Sequence, residues 1–194
     1  MLVTMRRIIV VANLTLDGVM QAPGRPDEDR RGGFEHGGWA APFNAMLETG
    51  DSMANMDALL FGRWTYESFY SFWPNQTGSP FTEVLNNIPK YVASRTLEGP
   101  LLWSNSTLLK GEAAQTVAGL KEGPGRDVVI FGSGELVRSL MRANLIDELV
   151  LLFHPLVLGT GRRLFNDGGA FAALRLVDSK TTSKGVLIAS YQSA

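Results

Sequence analysis

Two short stretches carry residues suited to holding an anion. In LLFGRWTYESF (59–69) an apolar run breaks at Gly62, and Arg63, Thr65 and Glu67 follow where a helical pattern begins. In DVVIFGSGELV (127–137) a second apolar run ends in Gly132-Ser133-Gly134 and again opens into a helix. A helix N-terminus offers unpaired N–H groups and the positive end of the macrodipole, so phosphate binds well there. Glycine at such a turn allows close backbone approach or a positive φ. Either turn alone is a weak signal, because a plain strand-to-helix turn looks the same. Two together point to one ligand, a pyrophosphate met from both sides. A third stretch, Ser94-Arg95-Thr96, follows the strand-like KYVAS with hydroxyl, cation, hydroxyl. Arg63 and Arg95 then suit a fork for a terminal phosphate. The competing reading is two solvated surface arginines.

The elements that must position these groups alternate between strand and helix. RRIIVVANL (6–14) is apolar on both faces, as a central strand covered on both sides must be. Further strands are expected at 57–62, 90–97, 101–105, 127–131 and 147–159, the last kinked at Pro155. Helices are expected over 40–56, with Phe43, Met46 and Leu47 on one face, over 63–73, ended by Pro74, and over 80–88. Two more are expected over 109–122 and after Gly134. Residues 174–194 read as an antiparallel hairpin. The expected fold is α/β: a mainly parallel central sheet with helices on both faces and an antiparallel C-terminal hairpin. Residues 16–39, rich in glycine, proline and charge, are long for a structureless loop, which makes them a functional or a disordered segment.

Bulk properties narrow the classes. The chain has 194 residues, 45% hydrophobic and 19% charged, and no break in composition marks a second domain, so one domain over 1–194 is expected. A net charge of −1 gives no footprint for nucleic acid or an anionic membrane. Cysteine is absent, which rules out disulfides and thiolate metal sites. No apolar run approaches the ~20 residues of a membrane span. The apolar run after Arg6-Arg7 reads as a strand rather than an export signal, so a cytoplasmic location is expected. His36 and His154 stand far apart in unlike settings and give no metal-site pattern.

GRWTYES resembles the GR-x-T-[WY]-E-S signature of dihydrofolate reductases, and FGSGELV resembles that family's glycine-rich pyrophosphate turn. NLTLDGVMQAPG is similar to the SLDG motif of a sister group, the C-terminal reductase domain of the riboflavin-biosynthesis deaminase-reductase. Stand-alone bacterial relatives look most alike, and the likeness runs from Arg6 to Tyr191. It implies a three-layer reductase fold with NADPH laid across the sheet. Gly62, Arg63, Trp64 and Thr65 would then meet the pyrophosphate and adenosine phosphate, and Ser94, Arg95 and Thr96 the 2′-phosphate. Gly132, Ser133, Gly134, Glu135 and Leu136 would wrap the pyrophosphate. Ala12 and Asn13 would face the nicotinamide. The riboflavin-type relatives also imply a homodimer.

Two departures concern the substrate. Asn44 stands where folate reductases carry a carboxylate, and Phe131 where riboflavin-type reductases carry an acid. Asp17, in the loop leaving the nicotinamide-facing strand, is the first candidate proton carrier, against an ordinary Asp-Gly turn. Glu48, one helical turn beyond Asn44, is the second, against a solvated helix face. Residues 21–38 are expected to form a lid over nicotinamide and substrate. The resulting expectation is an NADPH-dependent reductase of a small heteroaromatic or carbonyl substrate. The nearest named reaction is reduction of 5-amino-6-(5-phosphoribosylamino)uracil. The alternatives are folate reduction with a relocated acid and a non-catalytic NADPH-binding protein.

Overall fold

The computed structural model describes residues 5–46, 48–49, 54–78, 80–169 and 171–194. Its strands are β1 (Arg7–Thr15), β2 (Met56–Gly62), β3 (Lys90–Ser94), β4 (Ser106–Lys110), β5 (Asp127–Phe131), β6 (Glu148–His154), β7 (Leu174–Thr181) and β8 (Leu187–Ser193). Its helices are α1 (Arg63–Phe72), α2 (Pro80–Asn87), α3 (Ala113–Glu122) and α4 (Gly134–Arg142). The strands form one sheet in the order β4-β3-β2-β5-β1-β6-β8-β7. Pairing is parallel from β4 through β6, whereas β8 runs antiparallel to both β6 and β7.

The central strands are apolar on both faces because helices cover both. Alternate residues of β1 point to opposite sides. Ile8, Val10 and Ala12 join Val117 of α3 and Leu136, Val137 and Leu140 of α4 in one core. Ile9 and Val11 join Phe61, Tyr66 of α1 and Leu85 of α2 in the other. Phe61 is fully buried, and covering a side chain of that size contributes about 1.5–3 kcal/mol. The carboxyl ends of β1, β2, β3 and β5 therefore emerge along one edge, each followed by a loop or a helix start.

Local expectations fail where side chains or glycine override the pattern. Residues 101–105 form a turn, not a strand, because Trp103 is tied down: its backbone N–H donates to Tyr66 Oη (3.0 Å) and its indole to Asn86 Oδ1 (2.7 Å). The neighbouring STLLK pairs with β3 instead. Gly111, at φ 127°, ends that strand, so α3 starts at Ala113 rather than 109. β6 stops at His154, since Pro155 has no N–H for the ladder. The helix expected over 40–56 opens instead as a 3-10 turn at Ala41–Phe43, closed by Asn44 in the left-handed region (φ 53°). Leu47 and residues 50–53 of that expectation lie outside the described residues.

Residues 16–39 are neither structureless nor disordered. Val19, Ala22, Phe34, Trp39 and Ala40 form a small core of their own, with Leu156 and Leu158 packed against it. Gln21 is the hub: its amide donates to the carbonyls of Asp29 and Arg31, its oxygen accepts from Arg162 N, and its own carbonyl takes the Trp39 indole proton. Two arginines carry the loop across to α1, where Arg25 lies 4.2 Å from the Phe72 ring centroid and Arg31 3.9 Å from that of Trp64.

Candidate active site

A cavity of ≈ 1300 Å³ opens at the carboxyl ends of the parallel strands. It exceeds the roughly 300–1,000 Å³ of a pocket for one small ligand. Ligands of open parallel sheets bind in this position, where the strand order reverses.

The two glycine turns stand together on its wall. Gly62 N donates to Ser133 Oγ (3.1 Å), which ties the end of β2 to the turn after β5. Gly132 and Ser133 are both left-handed, at φ 62° and 56°, so the backbone doubles back before α4 begins. Gly62 itself has an ordinary φ of −78°. A Cβ there would make only van der Waals contact with Leu136 and Ser133. Neither strain nor crowding within the chain requires glycine at 62; the missing side chain leaves room on the cavity side. Neither α1 nor α4 has a side-chain cap among the described residues. Both helix N-termini therefore keep donors for a ligand.

Of the expected cofactor residues, Ala12, Asn13, Gly62, Arg63, Trp64 and Thr65 line the cavity, as do Ser94, Arg95 and all of Gly132 to Leu136. Thr96 does not line it, but its hydroxyl accepts from Arg63 Nη1 (3.1 Å) and so steadies that guanidinium from behind. Glu67 accepts from Arg63 Nε (2.8 Å). Ser94 Oγ accepts from Thr96 N and Leu97 N and shapes the loop, while Arg95 pairs with Glu112 (3.2 Å). Eight arginines line the cavity against four carboxylates, in a chain whose net charge is −1. That excess makes the cavity a trap for an anion.

The expected proton carriers lie elsewhere. Asp17 does not line the cavity. Its carboxylate accepts from Thr15 Oγ1 (2.6 Å), Gly159 N (2.9 Å) and Leu158 N (3.2 Å), joining the turn after β1 to the loop after β6. The Thr15 hydroxyl, with those backbone donors, pulls its pKa down to about 2. A group ionised so firmly holds no proton to give at neutral pH, so Asp17 is a structural clasp. Glu48 is exposed and is not part of the lining either.

One carboxyl inside the cavity is better placed to carry a proton. Glu28 lines it and accepts from Gly24 N (2.7 Å) and Arg25 N (3.1 Å) through Oε2. Oε1 has no partner among the described residues, and desolvation pushes the pKa up despite those donors. The other three lining carboxyls are all paired with arginine: Asp29 with Arg31, Glu112 with Arg95, and Glu135 with Arg138. Nothing in the sequence marked Glu28, which sits in the charge run PDEDRR and reads there as solvated loop. Beyond it the lining turns apolar. Phe131 stacks on Phe69 (6.4 Å between centroids) and meets Phe81 edge-on (6.1 Å), with Phe72, Trp73 and Ala45 also on the wall. A flat ring suits such a surface.

A large arginine-lined cavity at the carboxyl end of a parallel sheet, opening onto an aromatic basin, is the architecture of an α/β ligand-binding domain. The family described as "RibD C-terminal domain" matches residues 6–188, and the chain belongs to it. Membership puts it among reductase domains of the riboflavin-biosynthesis type. The uncharacterized protein YyaP of Bacillus subtilis is 29% identical over 189 residues, 94% of this chain and 92% of that one. Among solved structures, a putative riboflavin biosynthesis protein from Shewanella sp. PV-4 superposes with a TM-score of 0.70 at 22% identity, over 97% of this chain and 99% of that one. Dihydrofolate reductase from Enterococcus faecalis, complexed with NADP(H), gives 0.61 at 14% identity, over 96% of each chain. The fold is thus dihydrofolate-reductase-like. No helix among the described residues is long and apolar enough to cross a membrane.

Proposed function

We propose that the whole chain acts as one cytoplasmic, NADPH-dependent reductase domain that transfers hydride to a small heteroaromatic or carbonyl substrate. Reduction of 5-amino-6-(5-phosphoribosylamino)uracil is the nearest named reaction. The observation that carries this is the cationic cavity bounded by two uncapped helix N-termini joined through Gly62 N and Ser133 Oγ. When bound, the dihydronicotinamide supplies the hydride.

The chain's own residues do the rest. Amides after Gly62 and Gly132 hold the pyrophosphate, and Arg63, Ser94 and Arg95 hold the 2′-phosphate. Phe69, Phe81 and Phe131 seat the substrate ring. Glu28 donates the proton that the substrate heteroatom takes up as its neighbouring carbon is reduced. Residues 21–31 roof the cavity and exclude water through the Arg25 and Arg31 contacts to α1. β7, exposed along its whole length at the sheet edge, pairs two copies into a homodimer.

Fluorescence titration tests the cofactor assignment. NADPH is expected to bind more tightly than NADH; absence of binding by either would refute the reading.

A further inference from the structure

Asn13 is a polar residue in an apolar series. On β1 it follows Ile9 and Val11 on the face covered by α1 and α2, and Val11 pairs in register with Phe131 on the cavity wall. A side-chain amide here costs free energy unless it is hydrogen-bonded. Its single partner among the described residues is His154, whose Nε2 lies 2.9 Å from Asn13 Oδ1.

His154 is 1% exposed. Its ring meets Trp39 and Phe43 edge-on, at 5.2 and 5.0 Å between centroids, and its Nδ1 has no partner among the described residues. A proton on Nδ1 would be a buried orphan N–H, whereas a bare lone pair there forfeits less. The proton therefore belongs on Nε2, which donates to Asn13 Oδ1. The Asn13 amide is thereby held in one orientation, with its oxygen toward His154 and its NH2 left for the half-buried, cavity-lining side.

We propose that Asn13, positioned by His154, presents a fixed N–H donor at the reacting end of the cavity and selects a ligand offering a carbonyl oxygen or ring nitrogen there. The inference rests on the reductase reading for the choice of probes. A site that commits a donor in apolar surroundings rejects a ligand lacking the acceptor, because the donor is then left unpaired. Two acceptors have this chemistry: the nicotinamide carboxamide and a carbonyl of a pyrimidine-like substrate.

Side-chain amide spectra of 15N-labelled protein distinguish them. The Asn13 NH2 pair, assigned by its disappearance in Asn13→Leu, is expected to shift with NADPH or with uracil, and to stay in place with 2′,5′-ADP, which has no nicotinamide. A response to NADPH assigns the acceptor to the cofactor carboxamide, and a response to uracil alone assigns it to the substrate ring. His154→Leu should weaken the responsive probe about tenfold, and His154→Gln, which keeps an N–H at similar reach, should recover most of that loss. The proposal is overturned by an Asn13 signal that neither NADPH nor uracil moves. A folded His154→Leu variant that binds both probes like the wild type overturns it too. Failure of the reductase reading looks different: wild-type protein then binds neither NADPH nor 2′,5′-ADP, whatever uracil does to Asn13.

Discussion

Burial of His154 makes stability depend on pH in a window where few other groups titrate. Desolvation lowers its pKa from 6.5 to about 4. The ring contacts Asn13, Trp39 and Phe43, none of them charged, and no ion pair among the described residues offsets that burial. As pH falls through 6.5 the unfolded chain takes up a proton at this position while the folded chain does not, so stability decreases. The decrease ends once the folded ring also titrates near 4. With about 1.4 kcal/mol per pKa unit, the loss is near zero at pH 7.5, about 2 kcal/mol at pH 5 and about 3 kcal/mol below pH 4. Urea denaturation of wild type and His154→Gln at pH 7.5 and pH 5 isolates the effect, because shared carboxylates cancel between the two proteins. The wild type should lose about 2 kcal/mol more than the variant between these pH values. Parallel stability–pH curves for the two proteins would refute the burial argument.

Three further perturbations address the cavity. Arg63→Ala should raise the Kd for NADPH about 10- to 100-fold, the worth of a hydrogen bond to a charged group, and leave NADH almost unchanged in the same fluorescence titration. Glu28→Gln should lower kcat by about 10²- to 10⁴-fold with the pyrimidine ribotide and remove the alkaline limb of the pH–rate profile, while calorimetry shows NADPH affinity retained. Gly37→Ala puts a Cβ 2.6 Å from the Pro26 carbonyl and 2.7 Å from that of Arg25. Because backbone cannot yield as a side-chain tip does, a loss of about 1–3 kcal/mol is expected in denaturation, with faster amide exchange over residues 22–40.

What was legible in the sequence was local. The strand, glycine turn and helix start at 59–69 and again at 127–137 lie within a dozen residues of each other, so spacing alone exposes them. The double-sided apolar runs of β1, β2, β5 and β6 likewise announce a sheet covered on both faces. The misplaced elements had tertiary causes. Residues 101–105 leave the strand path because Tyr66 and Asn86, far off in sequence, bind the two N–H groups of Trp103. Lys90 follows a similar pattern: it opens β3 fully buried, its ammonium donating to the carbonyls of Leu85, Asn86 and Ile88 at the end of α2. Burial pushes its pKa down to about 8, and the three acceptors favour its keeping the proton.

The reacting half of the cavity stayed hidden for the same reason. Asp17 is next to the expected nicotinamide position in sequence, and sequence distance alone recommended it. In space its carboxylate turns away, toward amides 141 and 142 residues later. Glu28 stands in a charge run that composition assigns to solvent. Yet the loop folds back on the Gln21 hub and carries that carboxyl into the cavity, where desolvation makes the protonated form easier to keep. His154 lies 141 residues from the amide it orients. The backbone N–H groups and helix ends proposed to hold phosphate lie within short motifs, which is why spacing exposes them. The proposed proton delivery and ring selection depend on the environment around single side chains, and that environment exists only after the loop, β6 and α1 have come together.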